Sequence, residues 1–182
     1  MIRINGLSKA YDGNPAVRNL ELAIPAGELF GFLGPNGAGK TTTLKMAAGL
    51  LRPDSGQVLI DGTDIQKQPE LAKQIIGFIP DTPYLYEKLT GYEFLQFIGM
   101  LYNVAQSELK IRIAEYQEIF AYGDWINDRI ETYSHGMRQK IVFTAAFVHN
   151  PKILIVDEPM VGLDPGSIRT VKQLLQENAA PE

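Results

Sequence analysis

The stretch GPNGAGKTT, residues 34–42, sets glycines, one lysine and hydroxyl side chains at a spacing that suits one kind of chemistry. It fits G-x-x-x-x-G-K-[ST], with Gly34, Gly39, Lys40 and Thr41 at the defining positions. Glycines let backbone N–H groups turn inward around an anion, and the N-terminus of a following helix adds partial positive charge. Pro35, Asn36, Gly37 and Ala38 make up the rest of the cradle, and Thr42 continues into the helix. Lys40 is expected to reach the β- and γ-phosphates of a bound nucleotide, and the Thr41 hydroxyl to ligate Mg²⁺. A chance glycine-rich turn is the alternative, and the flanking elements argue against it.

Those elements are a strand before and a helix behind. Residues 28–33 read as a short buried strand running into the loop. Leu44, Ala47, Ala48 and Leu51 recur at i, i+3, i+4 and i+7, the apolar face of a helix. Far downstream, four apolar residues from Ile153 lead into Asp157 and Glu158. A buried parallel strand can deliver acids at its C-terminal end, beside a phosphate loop. Asp157 is expected to hold Mg²⁺ through water, and Glu158 to polarise the water that attacks the γ-phosphate. Alone, such a pair is equally what a strand ending in a solvated turn looks like; joined to the glycine loop it completes a nucleotide site.

The remaining elements follow from periodicity and turn chemistry. Residues 1–7 and 17–24 alternate as strands, with a turn-rich connection at 8–15 that carries Tyr11, and 57–61 forms another strand after a turn at 52–56. Their close spacing favours an antiparallel layer. Residues 75–79 are a buried strand closed by Pro80. From 83 to 133 the character turns helical: Thr90 and Glu93 have capping-box spacing, 94–102 is apolar on most sides, and 106–121 is amphipathic. Ser134 opens a helix with Met137, Ile141, Ala145 and Val148 on one face, and Asp164 with Pro165 reads as N-cap and N1 of a last helix.

Composition bounds the possibilities. The chain has 182 residues, 45% hydrophobic and 21% charged, as a globular domain with a sizeable core does. A net charge of −4 with no basic cluster argues against nucleic acid as a partner. Cysteine is absent, which excludes disulfides and thiol chemistry. No apolar run approaches the roughly 20 residues needed to cross a bilayer, and the N-terminus has no signal-peptide core. The expectation is a soluble chain, peripheral to a membrane if it serves one.

The order of motifs (phosphate loop, helical segment, Ser134 to Gln139 opening a helix, acidic strand, then Gly162 to Pro165) resembles ATP-binding cassette (ABC) ATPases, the motor subunits of ABC transporters. The likeness covers essentially the whole chain. GTPases are disfavoured by the lack of an N-K-x-D motif. The resemblance implies an α/β fold: a P-loop NTPase core with an antiparallel β subdomain and an inserted α-helical lobe. It implies one domain over 1–182, with the β layer and phosphate loop in 1–82, the helical lobe in 83–133, and signature helix, acidic strand and last helix in 134–182.

It also implies residue roles. Tyr11 matches the aromatic that stacks on adenine; the alternative is a Tyr packed on the β layer. Ser134, His135, Gly136 and Met137 match the signature segment that meets the γ-phosphate of ATP bound to a second copy, and Ser134 suits an N-cap as well. Asp164 matches the loop coupling the two sites of the dimer, alongside helix capping. Asp81 stands where the family usually has a Gln linking the γ-phosphate site to the helical lobe, and His135 and Met137 replace the usual Gly and Gln. The family's switch His lies on a strand beyond Glu158 that the chain does not reach, so the final core strands are expected to be missing. Implied partners are ATP, Mg²⁺, a second copy or paired ABC subunit on ATP binding, and a separate membrane permease. The implied place is the cytoplasm, peripheral on the cytoplasmic face of the cell membrane. The segment after Asp81, with Tyr84 and Tyr86, is where the family docks its permease. A nucleotide-binding module without turnover and a non-transport ABC ATPase are the competing readings.

Overall fold

The computed structural model describes residues 1–82, 84–158 and 163–179, with the main chain alone at 178–179. Mixed α/β structure divides into two compact units, Met1–Ile76 with the described residues from Leu175 on, and Gly77–Leu174.

The first unit is built on an antiparallel sheet. Strands β1 (Ile2–Tyr11), β2 (Asn14–Ile24), β3 (Ser55–Ile60) and β4 (Thr63–Asp64) lie in the order β2-β1-β3-β4. Ile4 pairs with Leu22 on one side and Val58 on the other. Alternation along β1 sends Ile4 into the core, and irregularities in register let Leu7 follow it there. Both strands run further than alternation predicts. The turn shrinks from 8–15 to Asp12 and Gly13, both at positive φ (48° and 79°), a two-residue hairpin turn that Asp-Gly favours.

Helix α1 (Lys40–Ala47) follows the glycine loop. It stops before Leu51, against the predicted face. Gly49 sits at φ 66°, Leu50 N–H donates to Lys45 O (2.8 Å) and Gly49 N–H to Met46 O (3.1 Å), which is a Schellman stop. Burial accordingly falls on Thr43, Met46, Ala47 and Ala48, not on Leu44 and Leu51. A short α2 (Pro69–Lys73) adds Ala72 to the core.

Residues 28–33 correct the sequence reading. They form no strand: Leu33 is 94% exposed, and Leu29 and Phe30 are exposed as well. An apolar run becomes a buried strand only with neighbours to complete its hydrogen-bond ladder, and no described strand pairs with it.

In the second unit, β5 (Ile76–Ile79) pairs with β6 (Ile153–Val156). The same unit holds α3 (Gly91–Leu101), α4 (Gln106–Ile119), α5 (His135–Phe147) and the start of α6 (Pro165–Ala179). The capping box is present in full: Glu93 N–H donates to Thr90 Oγ1 (3.1 Å) and Thr90 N–H to Glu93 Oε2 (2.9 Å). Helix α5 is buried on more than the predicted stripe, with Ile141, Val142, Phe143, Ala146 and Phe147 all inside. Tyr122 is fully buried against Phe120 and Trp125, its hydroxyl bonded to Lys140 O and Thr144 Oγ1.

Tyr133 ties the start of α5 to α3. Its hydroxyl accepts from Gly91 N–H (3.1 Å) and donates to Trp125 O (2.8 Å), and a Cβ on Gly91 would lie 2.6 Å from that oxygen. Tyr133→Phe keeps the ring but strands a buried N–H. A loss of about 1–3 kcal/mol in urea unfolding is expected. An unchanged midpoint would show that Gly91 N–H finds another partner.

Candidate functional site

The glycine loop belongs to the first unit, and its geometry follows from backbone needs. Gly37 and Gly39 hold φ of 81° and 83°, the left-handed region that β-carbons resist. Gly39 is constrained twice, since a Cβ there would lie 2.3 Å from Ala16 O on β2. That close approach sets the loop against the hairpin whose tip carries Tyr11. The turn closes through Ala38 N–H to Pro35 O (3.2 Å), and Gly39 is the N-cap of α1 without any side-chain cap. The helix therefore starts with amide donors that no capping side chain occupies. Lys40 Nζ donates to Gly34 O (2.8 Å) and Pro35 O (3.0 Å), which lays its ammonium along the loop. Thr41 and Thr42 are half-buried at the helix start. Glycine backbone, helix N-terminus and ammonium together suit a polyphosphate.

Tyr11 ends β1, opposite Asn14, and is 47% exposed, so its ring is available and does not pack into the layer. Lys9 Nζ stands 5.9 Å from the ring centroid.

The acids belong to the second unit. Asp157 N–H donates to Ile79 O (2.8 Å), so β5 and β6 end side by side and bring Asp81, Asp157 and Glu158 to one sheet end. Asp157 is 3% exposed and its Oδ2 has no hydrogen-bond partner among the described residues. A buried carboxylate oxygen in that position fits a cation or an ordered water as its missing partner. Glu158 is exposed and holds φ 48°, rare for a non-glycine residue. Asp81 is exposed, its Oδ1 accepting from Thr82 N–H (2.8 Å).

Ser134 caps α5, its Oγ accepting from Met137 N–H (3.3 Å). Ser134 and His135 are exposed, while Gly136 and Met137 are half-buried. Just behind them Gln139 is 1% exposed, with neither amide atom partnered among the described residues. Sequence reasoning did not single out Gln139, nor Arg138 and its carboxylate Glu87. A contact spanning Glu87 and Arg138 leaves no local spacing signal.

Gly162 lies outside the described residues. Asp164 caps α6 as expected: Oδ1 accepts from Gly166 N–H (2.9 Å) and Ser167 N–H (3.0 Å), and Oδ2 from Ser167 Oγ (2.5 Å). The Ser167 hydroxyl first, then these N–H donors, hold its carboxyl at about 2, below the ordinary 3.8. With the folded value depressed, the cap's contribution is complete above about 3.8 and is lost as pH falls toward 2. Thermal melts of the chain and Asp164→Asn should therefore differ above about pH 4 and converge near pH 2. Curves that stay parallel throughout would sink the ionised cap.

A family model described as ABC transporter matches residues 17–161. The linearmycin resistance ATP-binding protein of Bacillus subtilis is 43% identical over 96% of the chain, which covers 57% of that relative. The daunorubicin/doxorubicin resistance ATP-binding protein of Streptomyces peucetius is 39% identical over 96% of the chain and 53% of its own length. The chain thus spans little more than half of these relatives. A solved ATP-binding subunit of an ABC transporter superposes with a TM-score of 0.93 at 31% identity, over 98% of this chain and 75% of that one. The dimeric post-hydrolysis ATP-binding cassette MJ0796, bound to ADP and Pi, gives 0.85 at 25% identity, over 98% and 84%.

Proposed function

We infer from one premise, that the chain belongs to the ABC transporter family, that it is the ATP-binding and ATP-hydrolysing part of a transporter. The observation that carries the reading is the glycine loop at the start of α1, with Gly39 pressed against Ala16 O and Lys40 laid along the loop. The loop amides and Lys40 hold the β- and γ-phosphates of ATP, and Tyr11 offers its ring to the base. Thr41 and Asp157 are the residues that would hold Mg²⁺, which would supply neutralisation of developing phosphate charge. The unpartnered Oδ2 of Asp157 supports that assignment. Glu158 accepts a proton from, or orients, the attacking water.

Two copies, or this chain and a paired ABC subunit, close on ATP with Ser134, His135, Gly136 and Met137 of each presented to the other's γ-phosphate, Asp164 coupling the two sites and Asp81 linking phosphate to the helical lobe. The dimeric relative bound to ADP and Pi supports this reading. A separate permease on the membrane, with the cassette on its cytoplasmic face, is the partner that this family reading assigns; among the described residues no helix is long and apolar enough to cross a membrane. Two relatives are named for drug resistance, which favours export.

The test is phosphate release from Mg-ATP by folded protein already shown to bind ATP. Steady release that disappears in Glu158→Gln supports a working motor. Binding without release overturns turnover by this chain and leaves a nucleotide-binding module.

A further inference from the structure

Arg138 makes two contacts at the head of α5, and together they point to a role. Its Nε donates to Tyr133 O (3.3 Å), the carbonyl just ahead of Ser134. One guanidinium NH donates to Glu87 Oε1 (2.9 Å). Tyr133, fixed at its hydroxyl by Gly91 and Trp125, is fixed at its carbonyl by this guanidinium. The planar fork sets direction as well as distance, which a lysine at this position would not do.

The Glu87 end is itself anchored. Glu131 N–H donates to Glu87 O (3.0 Å), Ile130 N–H to Leu89 O (2.9 Å), and Thr90 bridges to Arg129. Residues 87–90 thus run alongside 129–131, the approach to the signature turn. On the same segment Tyr84 and Tyr86 stand 79% and 59% exposed, and Tyr86 rests edge-on against Phe94 and Phe97. Whatever presses on these tyrosines is connected through main chain and one ion pair to the peptide that aims Ser134. The ion pair itself is partly exposed, with side chains 25% and 56% accessible, so it adds little to stability. Its content is positional.

We propose that Arg138, aimed by Glu87, is a positioning residue for the signature turn, holding the Tyr133–Ser134 peptide in the orientation that meets a second copy's nucleotide and tying that orientation to the segment of Tyr84 and Tyr86. This rests on the sandwich-dimer reading of Ser134 to Met137.

The experiment measures ATP-dependent dimerisation by sedimentation in the Glu158→Gln background, beside ATP affinity and thermal midpoint of each variant. Arg138→Ala is expected to weaken dimerisation about tenfold or more, with ATP affinity and midpoint nearly unchanged. Arg138→Lys is expected to stay weakened. Glu87→Gln, which retains an acceptor, should recover most of what Glu87→Ala loses. Arg138→Ala and Glu87→Ala combined should cost less than the two effects multiplied. Lys88→Ala, which breaks the neighbouring pair with Glu131, serves as the control and should not weaken the dimer. Undiminished dimerisation in Arg138→Ala, strictly multiplicative effects, or a loss that tracks a lowered midpoint would each overturn the proposal. Absence of any ATP-dependent dimer before substitution at Arg138 or Glu87 would instead overturn the sandwich reading, and this inference with it.

Discussion

Lys40→Ala is expected to abolish tight Mg-ATP binding, with affinity falling by at least one to two orders of magnitude. Among the described residues the ammonium bonds only the loop's own carbonyls, Gly34 O and Pro35 O, at 2.8 and 3.0 Å. It sits where a polyphosphate carried by the loop amides would be within its reach. A charge-assisted contact of this kind contributes about 1.5–3 kcal/mol, or roughly ten- to hundredfold in affinity. Alanine also removes the two braces that hold the loop carbonyls, so the glycine turn loses its cross-link together with its cation. The fold should survive, because the α1 residues that reach the core are Thr43, Met46 and Ala47, not Lys40. Calorimetric titration with Mg-ATP checks the prediction, and an affinity equal to that of the unsubstituted chain would refute the phosphate assignment.

Glu158→Gln is expected to separate binding from chemistry. The amide retains size and hydrogen-bonding capacity but not the basicity that draws a proton from water, a role that contributes typically 10²–10⁴-fold in rate. Nucleotide affinity should stay within a few fold, phosphate release should fall by at least two orders of magnitude, and the ATP-bound dimer should accumulate. Backbone conformation sharpens the comparison. Glu158 holds φ 48°, a conformation that Gln tolerates no better and no worse, so the substitution does not change local strain. Release at the original rate would remove Glu158 from the water-polarising role.

Much of this was legible because the residues that do chemistry come as contiguous segments. The glycine loop needs Gly39 at positive φ and close to Ala16 O, and only glycine satisfies both, so the motif survives as a string of letters. The Thr90 capping box and the Asp164 cap are local hydrogen-bond patterns that reach from i to i+3, and both form as spacing predicts. What could not be read is what depends on partners far along the chain. Residues 28–33 have the composition of a buried strand, yet composition says nothing of which neighbour supplies the ladder, and here no described strand does. Helix α1 stops at Gly49 because a glycine in the left-handed region takes up the last carbonyls, a signal outweighed by the apolar period that carries on to Leu51. The pairing of Arg138 with Glu87, and the burial of Gln139 without a partner among the described residues, follow from packing of α5 that no local window contains.

The exposed run at 28–33 also governs how the protein behaves in a tube. It carries Leu29, Phe30 and Leu33 exposed and Phe32 half-buried, in a stretch without regular secondary structure and with no charge and no proline from Leu29 to Leu33. That composition is the signature of segments that stack into intermolecular β-structure when nothing covers them. Colloidal behaviour, rather than folding, then sets the working concentration: self-association should climb with protein concentration and with salting-out ions, which strengthen apolar association.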